Sequence, residues 1–311
     1  MAVAIALAAG AALLAAFAVV LQRVALESAP ASSTLSPRLM IHALRKRGWL
    51  IGFGLLLGTF VLQASALRIG QLSVVQPVLT CELIFLVAIL VVGFGRTVGA
   101  RELLGILAIV VGLGGFFSFA APAAGHGQPD ARAWVTLSIV TAVCTIVLVA
   151  AGRIGPRWWR AAALGAASAV LFAYNAALTK TLTTLLRHGG WSRVFDSWDP
   201  YLIAVVGAAG LFLLQTALHA GPITASRTTS VIVNPLASIV FGATAFGERL
   251  RAGSGLITLD IVAIAVMCAG VVVLVRSPLV AGTSGAAADE YLSARARLPL
   301  IGARGDRSGH A

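Results

Sequence analysis

Two carboxylates lie inside long apolar stretches of the sequence, where an ionisable side chain is unusual. Glu82 occupies the middle of the stretch 72–93, within SVVQPVLTCELIF, and Asp260 lies about a third of the way into the stretch 253–275. A charged side chain at the centre of a bilayer costs about 2.5–3.5 kcal/mol even on lenient insertion scales. Glu82 is therefore the first candidate to bind a proton or a cation. The alternative is a permanently protonated carboxyl that only ties helices together.

Polar side chains recur at helical spacing in other apolar stretches. Between 223 and 246, four polar residues spaced by three, four and four positions share one helical face: Arg227, Ser230, Asn234 and Ser238. Such a face lines either a cavity or a packed seam, because Ser, Thr, Asn and Gln also hydrogen-bond across membrane helices. The full set of candidates for binding a substrate or coupling ion is Glu82, Asn175, Asn234, Arg227, Ser230, Gln76, Thr80, Lys180 and Asp260.

Two prolines inside apolar stretches are candidates for a hinge or a kink. Proline lacks the N–H that a helix needs and leaves a backbone carbonyl free. Pro235 directly follows Asn234, deep in its stretch, and is predicted to be the stronger kink, whereas Pro77 lies nearer the start of its helix. A structural kink and a functional hinge are equal alternatives for both residues.

The elements that must position these residues are membrane-spanning helices. Hydrophobic residues make up 59% of the chain and charged residues 11%, against about 25% charged in an average soluble domain. The apolar residues come in continuous blocks that are long enough for helices to cross a hydrocarbon core of about 30 Å. The sequence predicts an all-α polytopic membrane protein with nine spans, at 2–22, 48–67, 72–93, 103–121, 133–151, 161–186, 201–220, 223–246 and 253–275. A tenth span at residues 30–47 is the alternative.

The distribution of Lys and Arg predicts the orientation. With nine spans, 16 of the 23 basic residues fall on the side of the carboxyl terminus. Because positive loops stay in the cytoplasm, the amino terminus is expected outside the plasma membrane and the carboxyl terminus inside. Topology and anionic lipid headgroups then explain the formal net charge of +12 without a nucleic acid. The expected partners are the bilayer and a small-molecule or ion substrate, and a homodimer is left open.

An internal repeat organises the spans. ALRIGQLSVVQ at 66–76 aligns with ALHAGPITASR at 217–227, and the segments that follow Gly95 and Gly247 also correspond. Each unit has four spans, and the two units enter the membrane from opposite sides, as in the inverted repeats of secondary transporters. The predicted organisation is a first membrane repeat at 1–121, a linking span at 122–160, a second repeat at 161–276 and a disordered cytoplasmic tail at 277–311.

These motifs resemble the drug/metabolite transporter superfamily. The resemblance rests on AVVLQRVAL in span 1, ALRIGQLSVVQPVL at the second turn, ELLGILAIVVGLGGF in span 4 and FGERL before the last span, and it covers roughly residues 2–276. Within the superfamily the sequence is most similar to the EamA-like group and its NIPA-type magnesium transporter branch. The resemblance implies a carrier without identifying its cargo. The first unit departs from the pattern, with Arg96 where the second has Glu248.

The sequence therefore predicts a secondary transporter of a small metabolite, amphiphile or drug-like compound, driven by an ion. A NIPA-like carrier of magnesium is an alternative, although Mg²⁺ prefers several oxygen ligands and Glu82 and Asp260 are the plausible intramembrane carboxylates; the ligands of any metal stay unknown. A membrane-embedded scaffold or adaptor is the alternative of another class. An enzyme and a cofactor are not expected, because the sequence has no HExxH, GxSxG or phosphate-loop motif.

Overall fold

The all-helical architecture predicted from the sequence is confirmed. The computed structural model describes residues 1–26, 47–120, 122, 125, 128–249 and 254–282, and no β-strand occurs in these ranges. The helices are α1 (Ala2–Leu26), α2 (Arg47–Ile69), α3 (Leu72–Leu79), α4 (Glu82–Phe94), α5 (Ala100–Phe119), α6 (Ala131–Ala151), α7 (Arg157–Asp196), α8 (Asp199–Ala220), α9 (Ile223–Thr244), α10 (Ser254–Val275) and α11 (Pro278–Gly282).

Eight of the nine predicted spans coincide with helices that are long and apolar enough to cross a membrane, with α3 and α4 together forming one of them. The predicted span at 223–246 corresponds to α9, which is not among the eight. Arg227, Asn234 and several Ser and Thr residues reduce the apolar content of α9. Of the alternative tenth span at 30–47, residues 30–46 lie outside the residues that the structure describes.

The third predicted span is interrupted after Pro77. Helix α3 ends at Leu79 and α4 begins at Glu82, and the backbone tightens between them, because the N–H of Thr80 donates to the carbonyl of Pro77 and that of Cys81 to the carbonyl of Val78. These are the three-residue hydrogen bonds of a 3₁₀ turn. Helix α9 runs through Pro235 without a break. The break in the helix therefore follows Pro77, and the kink expected at Pro235 stays a prediction.

Glycines allow the closest helix contacts of the bundle. Helices α5 and α10 run antiparallel, and a Cβ added at Gly112 would lie 2.5 Å from the backbone nitrogen of Met267. A Cβ at Gly270 would lie 2.8 Å from the carbonyl oxygen of Gly105. The two backbones approach too closely for any larger side chain, which is the usual role of small residues between membrane helices.

Helix α7 lies at the centre of the second half of the chain. It packs antiparallel to α6 and α8 and parallel to α9. Its membrane-length part, Arg157–Arg187, is the most buried of the eight candidate spans. Beyond it, Gly190 adopts a left-handed conformation with φ of 68°, so the helical path breaks there.

Helix α9 also packs against α3, and this contact joins the two halves of the chain. The helices cross antiparallel, since Gly242 of α9 faces Ser73 of α3 while Asn234 faces Gln76. Buried residues of both helices, including Leu72, Val75 and Phe241, belong to the same apolar core. Candidate site residues at this contact, such as Gln76 of α3, are therefore held in the interior.

The first residues of the predicted tail are ordered. Pro278–Gly282 forms the short helix α11, and Ser277 and Val280 are buried. Val280 packs with residues of α4 and α10. The prediction of disorder is therefore wrong for residues 277–282, and residues 283–311 lie outside the described part of the chain.

Candidate functional site

Glu248 holds together three parts of the chain. It follows α9, and its carboxylate accepts hydrogen bonds from the N–H of Leu72 at 2.6 Å and the N–H of Ser73 at 2.9 Å. The ammonium of Lys180 donates to the same carboxylate and forms an ion pair with it. A carboxylate at a helix N-terminus is stabilised by unpaired N–H groups and by the positive end of the helix dipole. We call Glu248, Lys180 and these two N–H groups the latch.

The local backbone explains how Glu248 reaches α3. Gly247 has φ of +61°, a left-handed conformation that favours glycine, and it turns the chain back immediately before Glu248. Gly242 contributes space, because a Cβ there would collide with the carboxylate of Glu248. The sequence GATAFGE therefore places glycine at both positions where a larger residue would displace the carboxylate.

The latch is almost entirely shielded from solvent. The side chain of Glu248 is 1% exposed and that of Lys180 is 12% exposed. The ammonium of Lys180 also lies 4.7 Å from the centroid of the Phe246 ring, within the range of a cation–π contact. A buried ion pair of this kind loses much of its solvation, so the three donors to Glu248 are needed to offset the cost.

Aromatic side chains surround the latch at the same end of the bundle, which we call the Glu248 end. The ring of Trp134 makes edge-on contacts with Tyr174, Trp198 and Phe246, with centroid distances of 5.8–6.4 Å. Ser138 and the hydroxyl of Tyr174 are hydrogen-bonded at 2.8 Å. These contacts connect the start of α6, the middle of α7 and the start of α8 beside the ion pair.

A patch of uncharged polar residues lies where α3 and α9 cross, which we call the polar crossing. It consists of Ser73, Gln76, Asn234 and Ser238. Ser73, Gln76 and Ser238 are fully buried. The amide of Asn234 donates to Oε1 of Gln76 at 3.4 Å, a long and weak hydrogen bond.

Each residue of the polar crossing has a polar atom without a hydrogen-bond partner among the described residues. These atoms are the Ser73 and Ser238 hydroxyl oxygens, Nε2 of Gln76 and Oδ1 of Asn234. They include donors and acceptors and carry no net charge. The patch can therefore receive water or an uncharged hydrogen-bonding part of a solute.

Glu82 lies beyond the break that follows Pro77, on α4. It is partly buried, and no hydrogen bond or ion pair to it is seen within the described ranges. Arg227 of α9, whose own side chain is exposed, lies close enough to act electrostatically on the carboxylate of Glu82.

Several other predicted site residues make local or seam contacts. The amide of Asn175 donates to the carbonyl of Ile203 at 2.7 Å, between α7 and α8. Ser230 donates to the carbonyl of Gly165 at 3.3 Å, between α9 and α7. The hydroxyl of Thr80 donates to the carbonyl of Pro77 within its own turn. These three side chains stabilise helix packing or local backbone in the conformation observed.

Asp260 stands apart from the other candidates. It is buried on α10, and its Oδ1 has no hydrogen-bond partner in the described part of the chain. No hydrogen bond or ion pair connects it to Glu82 or to the polar crossing. Among the described residues, no three His, Cys, Asp or Glu side chains cluster as the ligands of a metal would.

Sequence reasoning assigned Lys180 to the site but did not include Glu248 among the candidates. Glu248 caps α3, about half the chain away. One signal was available in the sequence: Glu248 of the second predicted unit aligns with Arg96 of the first. The two predicted units therefore carry opposite charges at this position.

Comparison with known proteins finds a relative of unknown activity. The chain is 26% identical over 242 residues to an uncharacterised protein of Corynebacterium glutamicum, which covers 75% of this chain and 80% of the relative. No protein-family model matches the chain, and no solved structure matches it significantly. The similarity spans most of both chains, so it extends across both predicted units.

Proposed function

We propose that this protein is a secondary transporter that moves a small solute across the plasma membrane by alternating access. The observation that carries the proposal is the polar crossing: a buried, uncharged patch with four unpaired polar atoms, at the contact between the two halves of the chain. Secondary transporters bind their substrates at this kind of position, between two repeats and near the middle of the membrane.

The energetics of the polar crossing favour an occupied cavity over a dry seam. A buried polar atom without a partner costs about 1–3 kcal/mol. A dry seam that leaves four such atoms unpaired at Ser73, Gln76, Asn234 and Ser238 would therefore cost about 4–12 kcal/mol. Water in one conformation and a solute in another would remove this cost, which is the behaviour that alternating access requires.

The pairing of helices supports two inverted units. In the first unit α1 packs antiparallel on α2, and in the second α7 packs antiparallel on α8. Between the units, α3 crosses α9 and α5 packs on α10, and both pairs are antiparallel. Corresponding elements of units that enter the membrane from opposite sides have to run in opposite directions, as these do.

Glu82 is proposed to couple transport to a proton or cation. An ionisable residue within a membrane helix is expensive to retain and is commonly part of a proton or ion pathway. Its position beyond the α3–α4 break, with Arg227 of the other unit acting on it, would let a movement between the units change its surroundings. The amino terminus and the Glu248 end are proposed to face outward, as the basic residues predict.

The experiment that tests this function is an uptake screen with purified protein in liposomes. Metabolites, drug-like compounds and divalent cations including Mg²⁺ are tested with and without an imposed proton gradient. We expect accumulation of a small organic solute that carries hydrogen-bonding groups, and its loss when Gln76 and Asn234 are both replaced by Leu. Uptake of Mg²⁺ alone would favour the magnesium alternative, and no uptake by well-folded protein would favour a scaffold.

A further inference from the structure

The latch is distinguished from an ordinary helix cap by the distance in sequence that it bridges. Glu102 caps the start of its own helix by accepting from the N–H of Gly99, and Asp130 caps its own helix by accepting from the N–H of Ala133. Glu248 instead accepts from Ser73, 175 residues earlier. It therefore ties α3 of the first half to α7 and α9 of the second half.

The latch also lies where the bundle is tightly closed. Gly125, from the connection between α5 and α6, approaches the backbone of Phe246 and Gly247 so closely that a Cβ there would collide with it. Trp134 makes an edge-on contact with the ring of Phe246. Movement of α3 away from α9 at this end would break the hydrogen bonds that the N–H groups of Leu72 and Ser73 donate to Glu248.

Among the described residues, the buried ion pair of the latch has no counterpart at the opposite end of the polar crossing. Helix α9 begins there with Pro222 as its N-cap residue and without a side-chain hydrogen bond to its first turn. Arg96, which the repeat aligns with Glu248, is exposed. Arg227 in the first turn of α9 is exposed as well. The charged side chains of the latch are therefore buried, whereas Arg96 and Arg227 are exposed.

We propose that the latch is the gate of the Glu248 end: it closes that end in the conformation observed, and it separates when the polar crossing opens in that direction. This inference rests on the proposed transport function and assigns Glu248 and Lys180 as gating residues. On opening, water would solvate the carboxylate, the ammonium and the two N–H groups of α3. The energy of the latch then sets the balance between the closed and open conformations.

The gate predicts a change in accessibility that a static cap would not produce. Ser73 is fully buried beside the latch, so Ser73→Cys serves as a reporter in a protein whose own cysteines at 81, 144 and 268 are replaced by Ala. The reaction of this cysteine with a hydrophilic maleimide is followed in nanodiscs, where both ends are open to the reagent. The measurement requires neither a known solute nor a known orientation.

The variants that test the gate are Glu248→Gln and Lys180→Gln, each combined with the reporter. Glu248→Gln keeps an acceptor oxygen for α3 and removes the charge, and Lys180→Gln removes the cation from the other side. We expect both to raise the labelling rate at least about tenfold, because the rate follows the open fraction and a tenfold larger ratio of open to closed protein raises that fraction about tenfold. Glu102→Gln is the matched control, since it alters a helix-capping glutamate outside the latch and should leave the rate unchanged.

Other outcomes decide against the gate. Unchanged labelling in both folded latch variants would overturn it, and so would failure of both variants to give monodisperse protein, because the latch would then be a static structural tie. Failure of the transport proposal is recognised separately, since it appears as absence of uptake by the wild-type protein in liposomes. Faster labelling with no uptake would therefore reject the transporter while retaining a latch that opens.

Discussion

Replacement of Glu248 by Ala gives a stability effect that can be worked out from the contacts of its carboxylate. The variant leaves the ammonium of Lys180 and the N–H groups of Leu72 and Ser73 without their shared acceptor in a site where the native side chain is 1% exposed. Breaking a buried ion pair by removing one partner costs about 3–5 kcal/mol. For a chain of this size, roughly 2–4 °C of melting temperature accompany each kcal/mol.

We therefore expect Glu248→Ala to lower the apparent melting temperature in detergent by about 6–20 °C. Thermal unfolding followed by tryptophan fluorescence measures this directly, because Trp134 and Trp198 lie beside the latch. Glu102→Ala is the control. It removes one local capping hydrogen bond and should cost about 1 kcal/mol. An equal effect of the two substitutions would refute the conclusion that Glu248 ties the halves together.

Three further predictions follow from other parts of the structure. Glu82→Gln should insert and fold but lose ion-coupled uptake or its dependence on pH, and wild-type uptake at every pH would reject the coupling role. Cysteine at Gln128 should react with an impermeant reagent in intact cells while cysteine at Ile154 should not, and the reverse pattern would contradict the orientation. Gly112→Ala should destabilise the protein by about 1–3 kcal/mol through overpacking, whereas Gly114→Ala, where nothing lies within 4 Å of the new Cβ, should not; equal effects would contradict the close α5–α10 contact.

The spans could be predicted from the sequence because the membrane imposes a length and a composition on each helix. The predicted span at 133–151 became α6 (Ala131–Ala151), and the one at 253–275 became α10 (Ser254–Val275). Pro77 was a candidate for a kink, but the end of α3 two residues later depends on hydrogen bonds from Thr80 to Pro77 and from Cys81 to Val78 that helical periodicity does not reveal.

The candidate site was partly predictable. Gln76 and Asn234 stood out as amides in apolar helices, and the structure brings them together. Sequence spacing could not separate them from Asn175, whose amide lies in the α7–α8 seam, because a cavity and a seam require the same polar residues. Glu248 was not among the candidates because its partners Leu72 and Lys180 are distant in the sequence and become neighbours only in the folded chain.

The most direct test of the central claim is solute counterflow through the polar crossing in liposomes. Liposomes loaded with a solute identified by the uptake screen should take up its labelled form rapidly with the wild-type protein. Gln76→Leu and Asn234→Leu should each reduce that exchange at least about tenfold, the effect of losing a substrate hydrogen bond inside a buried site. Asn175→Leu, which alters an amide of the α7–α8 seam, should retain exchange when the protein is folded. Wild-type exchange in both polar-crossing variants, or no exchange by the wild-type protein with any solute, would contradict the account.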